Sequence, residues 1–421
     1  MSVLTRRRAF GFTLLAFAVV AMGPSCANSE TTAETGRSGE RTLHVRQLVS
    51  PASDGSRLPR FAQGPHGGLV MSWVEESETD LNPTARWCFA TWDGEAFSEP
   101  HQIAEGQDWF LNWVDLPGLQ WLGGTQWAGH YLQRSSTETY DYHVRVVRSA
   151  DDGRNWSAPV TLHVDEGPGE HGFVAWTSVG EGRALAGWLD GRGVVASTGE
   201  GATALYTRTV KADGELGPEV CVDDRVCDCC PTAAASLDDG SILVAYRDRG
   251  SDELRDISIV RLREGEAPQS IWSSRDGWTI AGCPVNGPAL AVTGNLVGVA
   301  WFTMGADAHA RVLAALSADG GRSFAAPQLI AQGPVQGRVD AVFDSDGRLV
   351  VTWLQATSEN STWCLALLDR DGGLLASEIV VFNPSSSDAG LARLARSGDS
   401  LLFAYTEHGD SPRVLVDELW W

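Results

Sequence analysis

Short runs of apolar residues separated by turn residues follow one another along most of the chain, and one phrase of this pattern recurs. A turn with glycine leads into an apolar run that contains a tryptophan or tyrosine. The phrases are centred on Trp73, Trp127, Trp188, Tyr246, Trp301, Trp353 and Tyr405. Their successive spacings of 54, 61, 58, 55, 52 and 52 residues indicate an internal repeat, which is typical of stacked architectures.

Each repeat contains further strands around this phrase. One short apolar strand precedes it and one or two follow it, with turn residues between them. Four short strands per unit predict a β-propeller blade, because a single blade cannot bury both faces and must stack on its neighbours. We therefore predict an all-β propeller of seven four-stranded blades, with six blades as the alternative. Two β-sandwiches would need a linker near the middle of the chain, and the sequence has none.

The two ends of the repeat region complement each other. The last repeat ends in "RVLVDELWW" after only three strands, whereas "RTLHVRQLVS" (41–50) precedes the first repeat and has no blade of its own. We predict that this N-terminal strand completes the last blade and closes the ring. Closure would remove an exposed sheet edge.

The first 26 residues have the order of an export signal. Three arginines at positions 6 to 8 precede an apolar run that is too short to cross a membrane. Arg7 and Arg8 also fit a twin-arginine pattern. The segment resembles a bacterial lipoprotein signal with Cys26 as the acylated residue, although Gly23 stands where such signals usually carry leucine. Plain cleavage of the signal is the alternative.

This reading divides the chain into a signal (1–26), a polar linker (27–40) and the propeller (41–421). We expect an exported protein, either lipid-anchored in the cell envelope or released as a secreted or periplasmic protein. Disulfides are allowed in such compartments. The net charge of −22 and the single lysine, Lys211, argue against a nucleic-acid partner. We expect a monomer that needs no cofactor and no metal.

Two turns carry a more specific pattern. "SADDGRNW" (149–156) and "SADGGRSF" (317–324) both read Ser-x-Asp-x-Gly-x-x-aromatic. The Asp can hydrogen-bond its own turn and the glycine allows a positive φ. The pattern resembles the Asp-box (BNR repeat) of the sialidase, or neuraminidase, superfamily. An Asp-box is structural and implies a propeller family rather than a reaction.

A second resemblance lies in "SRLPRFAQGPHGGLVMSWVEE" (56–76), which is similar to the Arg-Ile-Pro strand that opens sialidase propellers. It implies that Arg57 is one of three arginines that grip a substrate carboxylate, a task suited to a guanidinium fork. The same resemblance implies Asp80 as acid/base and a second arginine at Arg247, beside Asp248 and Arg249.

The nucleophile pair of the family is missing. The slot for its glutamate falls at Cys229 to Pro231, and the slot for its tyrosine falls at Arg338. Tyr405 with Glu407, two residues apart and so on one strand face, is a possible substitute. Without a nucleophile the enzyme would be inverting, with Asp80 and another carboxylate around a water, or it would only bind.

Propellers usually bind ligands at the end of the axis where the innermost strands begin. Reading these starts adds Asn286 and Arg338 to the arginines above. The predicted substrate-binding residues are therefore Arg57, Arg247, Asp248, Arg249, Asn286 and Arg338.

Five of the seven cysteines after Cys26 cluster on two successive blade junctions. Cys230-Pro231 and Cys283-Pro284 are predicted to be equivalent positions of adjacent blades, so a disulfide from Cys229 or Cys230 to Cys283 is expected, with Cys221 and Cys227 closing a second one. The alternative is a Zn or Cu(I) site made by the thiolates of Cys227, Cys229, Cys230 and Cys283.

The leading functional hypothesis is an exported sialidase-like propeller that recognises a carboxylated glycan at the cell surface, with hydrolysis left open. One alternative is a non-catalytic propeller that binds carbohydrate or protein. The other is a metal- or thiol-site protein built on the cysteine cluster.

Overall fold

The structure, a computed structural model, describes residues 42–77, 84–194, 200–356, 361–383, 389–407 and 411–421. In these ranges the only helical element is a single 3-10 turn, Pro65–Gly67. No helix in the described ranges is long and apolar enough to cross a membrane. The predicted signal, the linker, Cys26 and Asp80 lie outside the described residues.

Twenty-eight strands form seven four-stranded antiparallel sheets, as predicted. The first strand of the chain is β1, His44–Gln47. The strands of blades 1 to 3, from the inner to the outer strand, are β2 Ser56–Gln63, β3 Leu69–Glu76, β4 Ala85–Trp92 and β5 His101–Gly106; β6 Gly118–Gly123, β7 Gln126–Arg134, β8 Tyr142–Ser149 and β9 Val160–Thr161; β10 His171–Gly180, β11 Arg183–Asp190, β12 Thr203–Lys211 and β13 Val220–Val226.

Blades 4 to 7 repeat this plan. Their strands, in the same order, are β14 Ala233–Ser236, β15 Ile242–Arg247, β16 Ile257–Leu262 and β17 Gln269–Ser273; β18 Ala289–Thr293, β19 Leu296–Thr303, β20 Arg311–Ser317 and β21 Gln328–Gln332; β22 Val335–Phe343, β23 Leu349–Ala356, β24 Ser361–Leu368 and β25 Leu374–Asn383; β26 Arg393–Ser397, β27 Ser400–Glu407 and β28 Arg413–Trp420, with β1 as the fourth strand.

The ring closes as the sequence predicts. The inner strands contact each other in one cycle, β2–β6–β10–β14–β18–β22–β26 and back to β2. β1 pairs antiparallel with β28, so that His44 lies opposite Trp420 and Gln47 opposite Asp417. The first and last strands of the described chain therefore share one blade, and β28 is not left as its free outer edge.

The core lies between the blades. The second strand of each blade is the most apolar, and β15 (ILVAYR) is buried at all six positions. A strand buried on both faces reads as a continuous apolar run, which explains the recurring phrase in the sequence. One core cluster joins Leu243 and Ile259 of blade 4 to Val299 and Trp301 of blade 5, and others join the neighbouring blades in the same way.

Buried tryptophans in these strands use their one polar atom. The indole N–H of Trp73 donates to Glu75 at 2.9 Å, and that of Trp188 donates to Asp190 at 2.7 Å. In each case the acceptor lies two residues further along the same strand, on the same face. A buried indole N–H needs such a partner, and the pair fixes the carboxylate at the end of the strand where ligands are expected.

The repeat is more regular than the sequence suggested, because the aromatic position of blade 2 was assigned wrongly. Ser149 lies opposite Trp127, whereas Ser317 of the equivalent turn lies opposite Val297. Trp301 stands four residues after Val297, so its equivalent in blade 2 is Tyr131 and not Trp127. Two aromatic residues in one strand made the choice ambiguous from the sequence alone.

The predicted equivalence of Cys230 and Cys283 is also wrong. Ala233 lies opposite Ala245 in blade 4, and Ala289 lies opposite Ala300 in blade 5. Each partner directly precedes the repeat's aromatic residue, so Ala233 and Ala289 are equivalent. Counting back three residues, the equivalent of Cys230 is Asn286. The matching Cys-Pro dipeptides hid this offset of three residues.

Candidate functional site

A cavity of about 210 Å³ lies on the axis, enclosed by the inner strands of blade 1 and blades 3 to 7. By volume it has room for several water molecules, at about 30 Å³ each. Its lining includes charged and polar residues from five blades, namely Arg60, Thr232, Asn286, Arg338, Asp340 and Arg393. Larger depressions exist between blade edges, but each is formed by only two neighbouring blades.

Backbone irregularities turn the inner strands so that charged side chains face the axis. Leu58, Phe173 and Arg338 have positive φ values of 60°, 55° and 56°. In each of their strands the pairing register shifts at this point. Such bulges re-aim the side chains that follow, and they are commonest beside functional sites.

Arg60 spans from blade 1 to the two blades that follow. Its guanidinium donates to the carbonyl of Leu116 and to that of Val174, at 3.2 Å each. Gly118 leaves the space for it, since a Cβ there would lie 2.6 Å from Nη1 of Arg60. Burial and the nearby Arg393 lower the pKa of Arg60 to about 10.

Arg338 and Arg393 enter the cavity from blades 6 and 7. The backbone N–H of Arg338 donates to Oδ1 of Asn286 at 2.7 Å, and its guanidinium lies 4.2 Å above the ring of Trp113. Arg393 lies 3.9 Å from Asp340. Its Nε is buried and has no hydrogen-bond partner among the described residues.

Two carboxylates balance these three guanidinium groups only in part. Asp340 accepts hydrogen bonds from the backbone N–H groups of Ala341 and Leu394, at 3.0 and 2.9 Å. Burial raises the pKa of Asp340. Asp115 accepts from the N–H of Phe173 at 2.7 Å, and burial raises its pKa to about 7. At neutral pH the cavity is therefore locally positive in a chain of net charge −22.

The predicted substrate-binding arginines do not meet in this cavity. Arg338 lines it. Arg247 is buried beside it and donates to the carbonyls of Asn286, Arg255 and Phe302 at 2.6 to 2.7 Å. Arg57 instead forms an ion pair with Glu76 at 2.7 Å, and its side chain is 41% exposed.

The other predicted residues occupy different places. Asn286 lines the cavity. Asp248 accepts from the hydroxyl of Ser258 at 2.9 Å, and burial raises its pKa. Arg249 pairs with Glu253 at 2.8 Å. The contacts of Asp248 and Arg249 lie in the loop that joins β15 to β16 and at the start of β16.

Tyr405 and Glu407 lie on β27, away from the cavity lining. Tyr405 is buried, with its ring centroid 5.5 Å from that of Phe403. Burial and the nearby Asp417 raise the pKa of its hydroxyl, which is the direction opposite to activation of a nucleophile. Glu407 is exposed and lies opposite Arg413.

Four thiols converge at the junctions of blades 3, 4 and 5. The Sγ atom of Cys227 lies 2.8 Å from that of Cys230 and 3.8 Å from that of Cys229. Cys283 groups with Asp228 and Cys229. All seven described cysteines are thiols, so the predicted pairs Cys230–Cys283 and Cys221–Cys227 stay predictions.

The environments of these thiols differ. Burial raises the pKa of Cys227 to about 12. For Cys230, hydrogen bonds from the other two thiols and the charge of Arg247 outweigh the opposing effect of burial and lower the pKa. The pKa of the Cys283 thiol is also lowered, chiefly by its hydrogen bond with Cys229.

A second group of metal-ligating residues, His143, His163 and His171, lies between blades 2 and 3. Its geometry is less suited to an ion. The Nδ1–H of His163 donates to the carbonyl of Asp165 at 2.5 Å, and its Nε2 accepts the N–H of Val144 at 3.3 Å. The rings of His163 and His171 are stacked at 3.8 Å with an angle of 8°, and parallel stacked rings cannot both aim a lone pair at one ion.

Sequence reasoning missed Arg60, Asp115, Asp340 and Arg393. A usable signal was present for three of them, because Arg60 in "RLPRFAQ", Asp340 in "RVDAVF" and Arg393 in "LARLA" are charges inside strands where the repeat otherwise has small or apolar residues. A charge in a strand that packs around an axis must be paired or face a ligand. The group of three histidines has no comparable signal, because its members come from three separate segments.

Comparisons with known proteins give similarity of fold. No family model and no curated protein matches the sequence. Among solved structures, the chain is similar to a protein of unknown function from Dyadobacter fermentans, with 14% identity, 89% of this chain and 98% of that chain covered, and a TM-score of 0.48. It is also similar to a mutant of the NanB sialidase from Streptococcus pneumoniae, with 10% identity, coverages of 89% and 70%, and a TM-score of 0.43.

A third similar structure is the α-L-arabinanase of Penicillium chrysogenum in complex with arabinobiose, with 12% identity, coverages of 89% and 98%, and a TM-score of 0.46. At these scores the similarity carries no argument about a reaction. The assignment as a seven-bladed propeller rests on the strand topology of the chain itself.

Proposed function

We propose that the protein is a binding propeller whose axial cavity takes the carboxylate of an acidic glycan without cleaving it. The observation that carries the proposal is the convergence of Arg60, Arg338 and Arg393 on one small cavity of an otherwise acidic protein. Guanidinium groups bind carboxylates with charge-assisted hydrogen bonds, which are stronger than those between neutral groups.

Arg393 is the arginine best suited to grip the ligand. Its Nε is buried and lacks a partner among the described residues, while its side chain is still 20% exposed. Leaving such a donor unsatisfied costs free energy that a bound carboxylate would recover. Arg60, in contrast, uses its guanidinium to tie blade 1 to the carbonyls of blades 2 and 3.

The composition of the lining supports binding rather than double displacement. Neither a tyrosine nor a glutamate occurs among the described residues that line the cavity. Its two carboxylates, Asp115 and Asp340, accept hydrogen bonds from backbone N–H groups. A retaining glycosidase needs a nucleophile opposite an acid, and this lining supplies none.

Binding can be tested by titrating the purified chain with N-acetylneuraminic acid, glucuronic acid and neutral glucose in a calorimeter. We expect one of the acids, and not glucose, to bind, and high salt to weaken the interaction. Arg393→Gln should lower the affinity about 10- to 100-fold, since a hydrogen bond to a charged group contributes roughly 1.5–3 kcal/mol. Arg338→Gln serves as a second cavity variant, and thermal melting verifies that both fold.

Arg57→Gln is the matched control, because Arg57 is an arginine of the same inner strand as Arg60 but pairs outside the cavity. Loss of binding in Arg57→Gln with retention in Arg393→Gln would overturn the proposal and favour the site implied by the sialidase resemblance. Release of a fluorogenic aglycone from a sialoside or glucuronide would show that the site cleaves its ligand.

We further propose that the protein acts outside the cytoplasm. The support is the order of charged, apolar and small residues in the first 26 positions. Mass spectrometry of the mature N-terminus distinguishes a lipidated Cys26 from plain cleavage, and a mature chain that retains Met1 to Cys26 would contradict export through this signal.

A further inference from the structure

The loop between β13 and β14 carries three cysteines, and its conformation is fixed at both ends. The backbone N–H of Cys227 donates to the carbonyl of Arg247 at 3.0 Å. The hydroxyl of Thr232 donates to the carbonyl of Phe173 at 2.7 Å. Cys227 and Cys230 are each only 1% exposed. The thiols therefore converge because the backbone of two blades positions them, which is the preorganisation that a ligand site requires.

A fourth thiol comes from the next blade junction. Cys283 precedes β18 and lies with Asp228 and Cys229 in one group, whose ligand atoms are all within 4.8 Å of each other. Unlike the loop cysteines, Cys283 is exposed. The cluster is thus buried on one side and open to solvent on the other, which leaves an entry path for a small ion.

The two groups of ligand atoms share Cys229, and one sulfur–sulfur separation already equals that of a metal thiolate site. In a tetrahedral site with metal–sulfur bonds of about 2.3 Å, neighbouring sulfurs are ~3.8 Å apart. The Sγ atoms of Cys227 and Cys229 have this separation, 3.8 Å. Those of Cys227 and Cys230, at 2.8 Å, would have to move apart by about 1 Å.

Two buried arginines, Arg247 and Arg255, lie beside the cluster. Their positive charge would stabilise thiolates bound to a metal, whereas neutral thiols gain little from it. The carbonyl of Arg247 accepts the N–H of Cys227 at 3.0 Å, and the guanidinium of Arg255 lies 3.7 Å from Asp228 in the same loop. In Arg255, which is 2% exposed, Nε has no hydrogen-bond partner among the described residues, although Nη2 binds Glu253 at 2.8 Å. A buried guanidinium with an unused donor beside the cluster favours an anionic occupant there.

We propose that Cys227, Cys229, Cys230 and Cys283 bind one thiophilic d10 metal ion, Zn²⁺ or Cu⁺, at the junction of blades 3, 4 and 5. Each thiol releases its proton to solvent as its sulfur becomes a ligand, and no oxidation or reduction is involved. Thiolate ligands select these two ions over Mg²⁺ and Ca²⁺.

The proposed site is joined to the axial cavity through Asn286. The backbone N–H of Asn286 donates to the Cys230 sulfur, its carbonyl accepts from Arg247, and its side chain accepts from the N–H of Arg338. A metal that fixes Cys230 would therefore also fix the residue that holds Arg338 at the cavity. Metal binding does not depend on the proposed glycan ligand, so each can be tested without the other.

The test uses the full chain, reduced with a phosphine, freed of metal, and titrated separately with Zn²⁺ and with Cu⁺ under anaerobic conditions. We expect one equivalent of one of these ions to bind and to protect four thiols from alkylation. Substitution with Co²⁺ should give the intense visible bands of a tetrahedral thiolate complex. A reduced chain that binds neither ion would overturn the proposal.

Cys283→Ser is the informative variant, because Cys283 is exposed and its replacement should leave folding intact. We expect at least a tenfold loss of affinity and one fewer protected thiol. Cys221→Ser is the matched control, since Cys221 is also exposed but belongs to no group of ligands among the described residues. Equal affinity in the two variants would contradict the four-thiolate site.

Discussion

Asp115 is the residue at which burial acts most clearly on a charge. It is 2% exposed, and its nearest compensating partners are the N–H of Phe173 and the charge of Arg60. Gly172 permits this arrangement, because a Cβ there would lie 2.1 Å from the Asp115 carboxylate. The price of that close fit is a carboxyl group whose pKa rises to about 7.

The raised pKa of Asp115 determines how the free energy of unfolding changes with pH. Between about pH 4, the pKa of an unfolded aspartate, and pH 7 the folded state holds more protons than the unfolded state. The free energy of unfolding should therefore fall as pH rises through this window and level off above it. Glu170 and Asp417, whose pKa values burial raises to about 7 and about 6, act in the same direction.

We predict that Asp115→Asn flattens this slope, because the amide keeps an acceptor for Phe173 and cannot ionise. Urea unfolding should show a gain of about 1 kcal/mol at pH 4.5 that reaches up to about 4 kcal/mol at pH 7.5, the equivalent of three pKa units. Asp371→Asn, on an exposed turn of blade 6, is the control and should leave the slope unchanged. A variant that keeps the slope of the original chain would refute the assignment to Asp115.

The positions of single side chains were the hardest feature to predict from the sequence. Arg57 and Arg60 are three residues apart in one strand, and only the second reaches the axis. The reason is the bulge at Leu58, with its φ of 60°, which breaks the alternation on which a prediction of strand faces depends. Arg247 was predicted to bind a substrate carboxylate, and its guanidinium donates to three carbonyls, two of which, those of Asn286 and Phe302, come from distant segments that no local pattern reveals.

At the scale of the element, the two Ser-x-Asp-x-Gly turns have one hydrogen-bond pattern. The Ser hydroxyl donates to the Asp carboxylate at 2.8 Å in both turns. The same Ser oxygen accepts, at 2.9 Å, the N–H of the glycine four residues further on, Gly153 or Gly321. In the turn of blade 5, Asp319 accepts further bonds from the N–H groups of Arg322 and Ser323, both at 2.9 Å. Their membership of the Asp-box family stays a prediction.

We predict that Asp319→Ala destabilises the propeller by roughly 1–2 kcal/mol, because it leaves two backbone donors of the turn without their acceptor. Asp371→Ala, in the turn at the equivalent place of blade 6, should change the free energy of unfolding by less than about 0.5 kcal/mol, as exposed substitutions usually do. Chemical unfolding of the two variants side by side measures the difference. Equal effects would show that the turn is held by its glycines rather than by the carboxylate.

Strand existence and order were predictable, because each second strand is buried on both faces and reads as an apolar run. The register of equivalent residues between blades was harder to predict. The error in blade 2 came from two aromatic residues four positions apart, Trp127 and Tyr131, and the error at Cys283 from a repeated Cys-Pro dipeptide. In both cases the register is set by the residue that lies opposite on the neighbouring strand, and this pairing is known only from the three-dimensional structure.

At the scale of the whole molecule, blade number and closure followed from counting repeats. The arrangement at the centre of the ring could not be predicted in this way, because residues from six blades meet there and their side-chain directions depend on bulges. The result is a locally positive cavity inside a strongly acidic protein, a contrast that the overall composition conceals.

Closure of the ring by β1 leads to a prediction about truncation. A chain that begins at residue 51 lacks the β1–β28 pairing and the bonds from Leu48 and Ser50 to the carbonyls of Val416 and Val414. It leaves β28 as an unpaired edge, which is a template for aggregation. We expect a lower melting temperature and increased light scattering on heating.

The comparison is with a chain that begins at residue 42, which keeps β1 and should behave as the longer chain does in both measurements. If the chain from residue 51 melts and scatters like the chain from residue 42, β1 is dispensable and the ring is held by its inner strands alone.

The same pairing sets an order of events during biosynthesis. Arg46 and Glu418, an ion pair across β1 and β28, are 372 positions apart, so a chain made from its N-terminus must complete every blade before β1 finds its partner. The entropy cost of closing so long a loop grows only slowly with its length. The delay is unavoidable, however, because the residues of β28 are among the last to be synthesised. All four residues of β1 are exposed even in the folded protein, and three of them, His44, Arg46 and Gln47, are polar. A strand of this composition can stay in water, unpaired and without attracting other chains, until the last strand has been made.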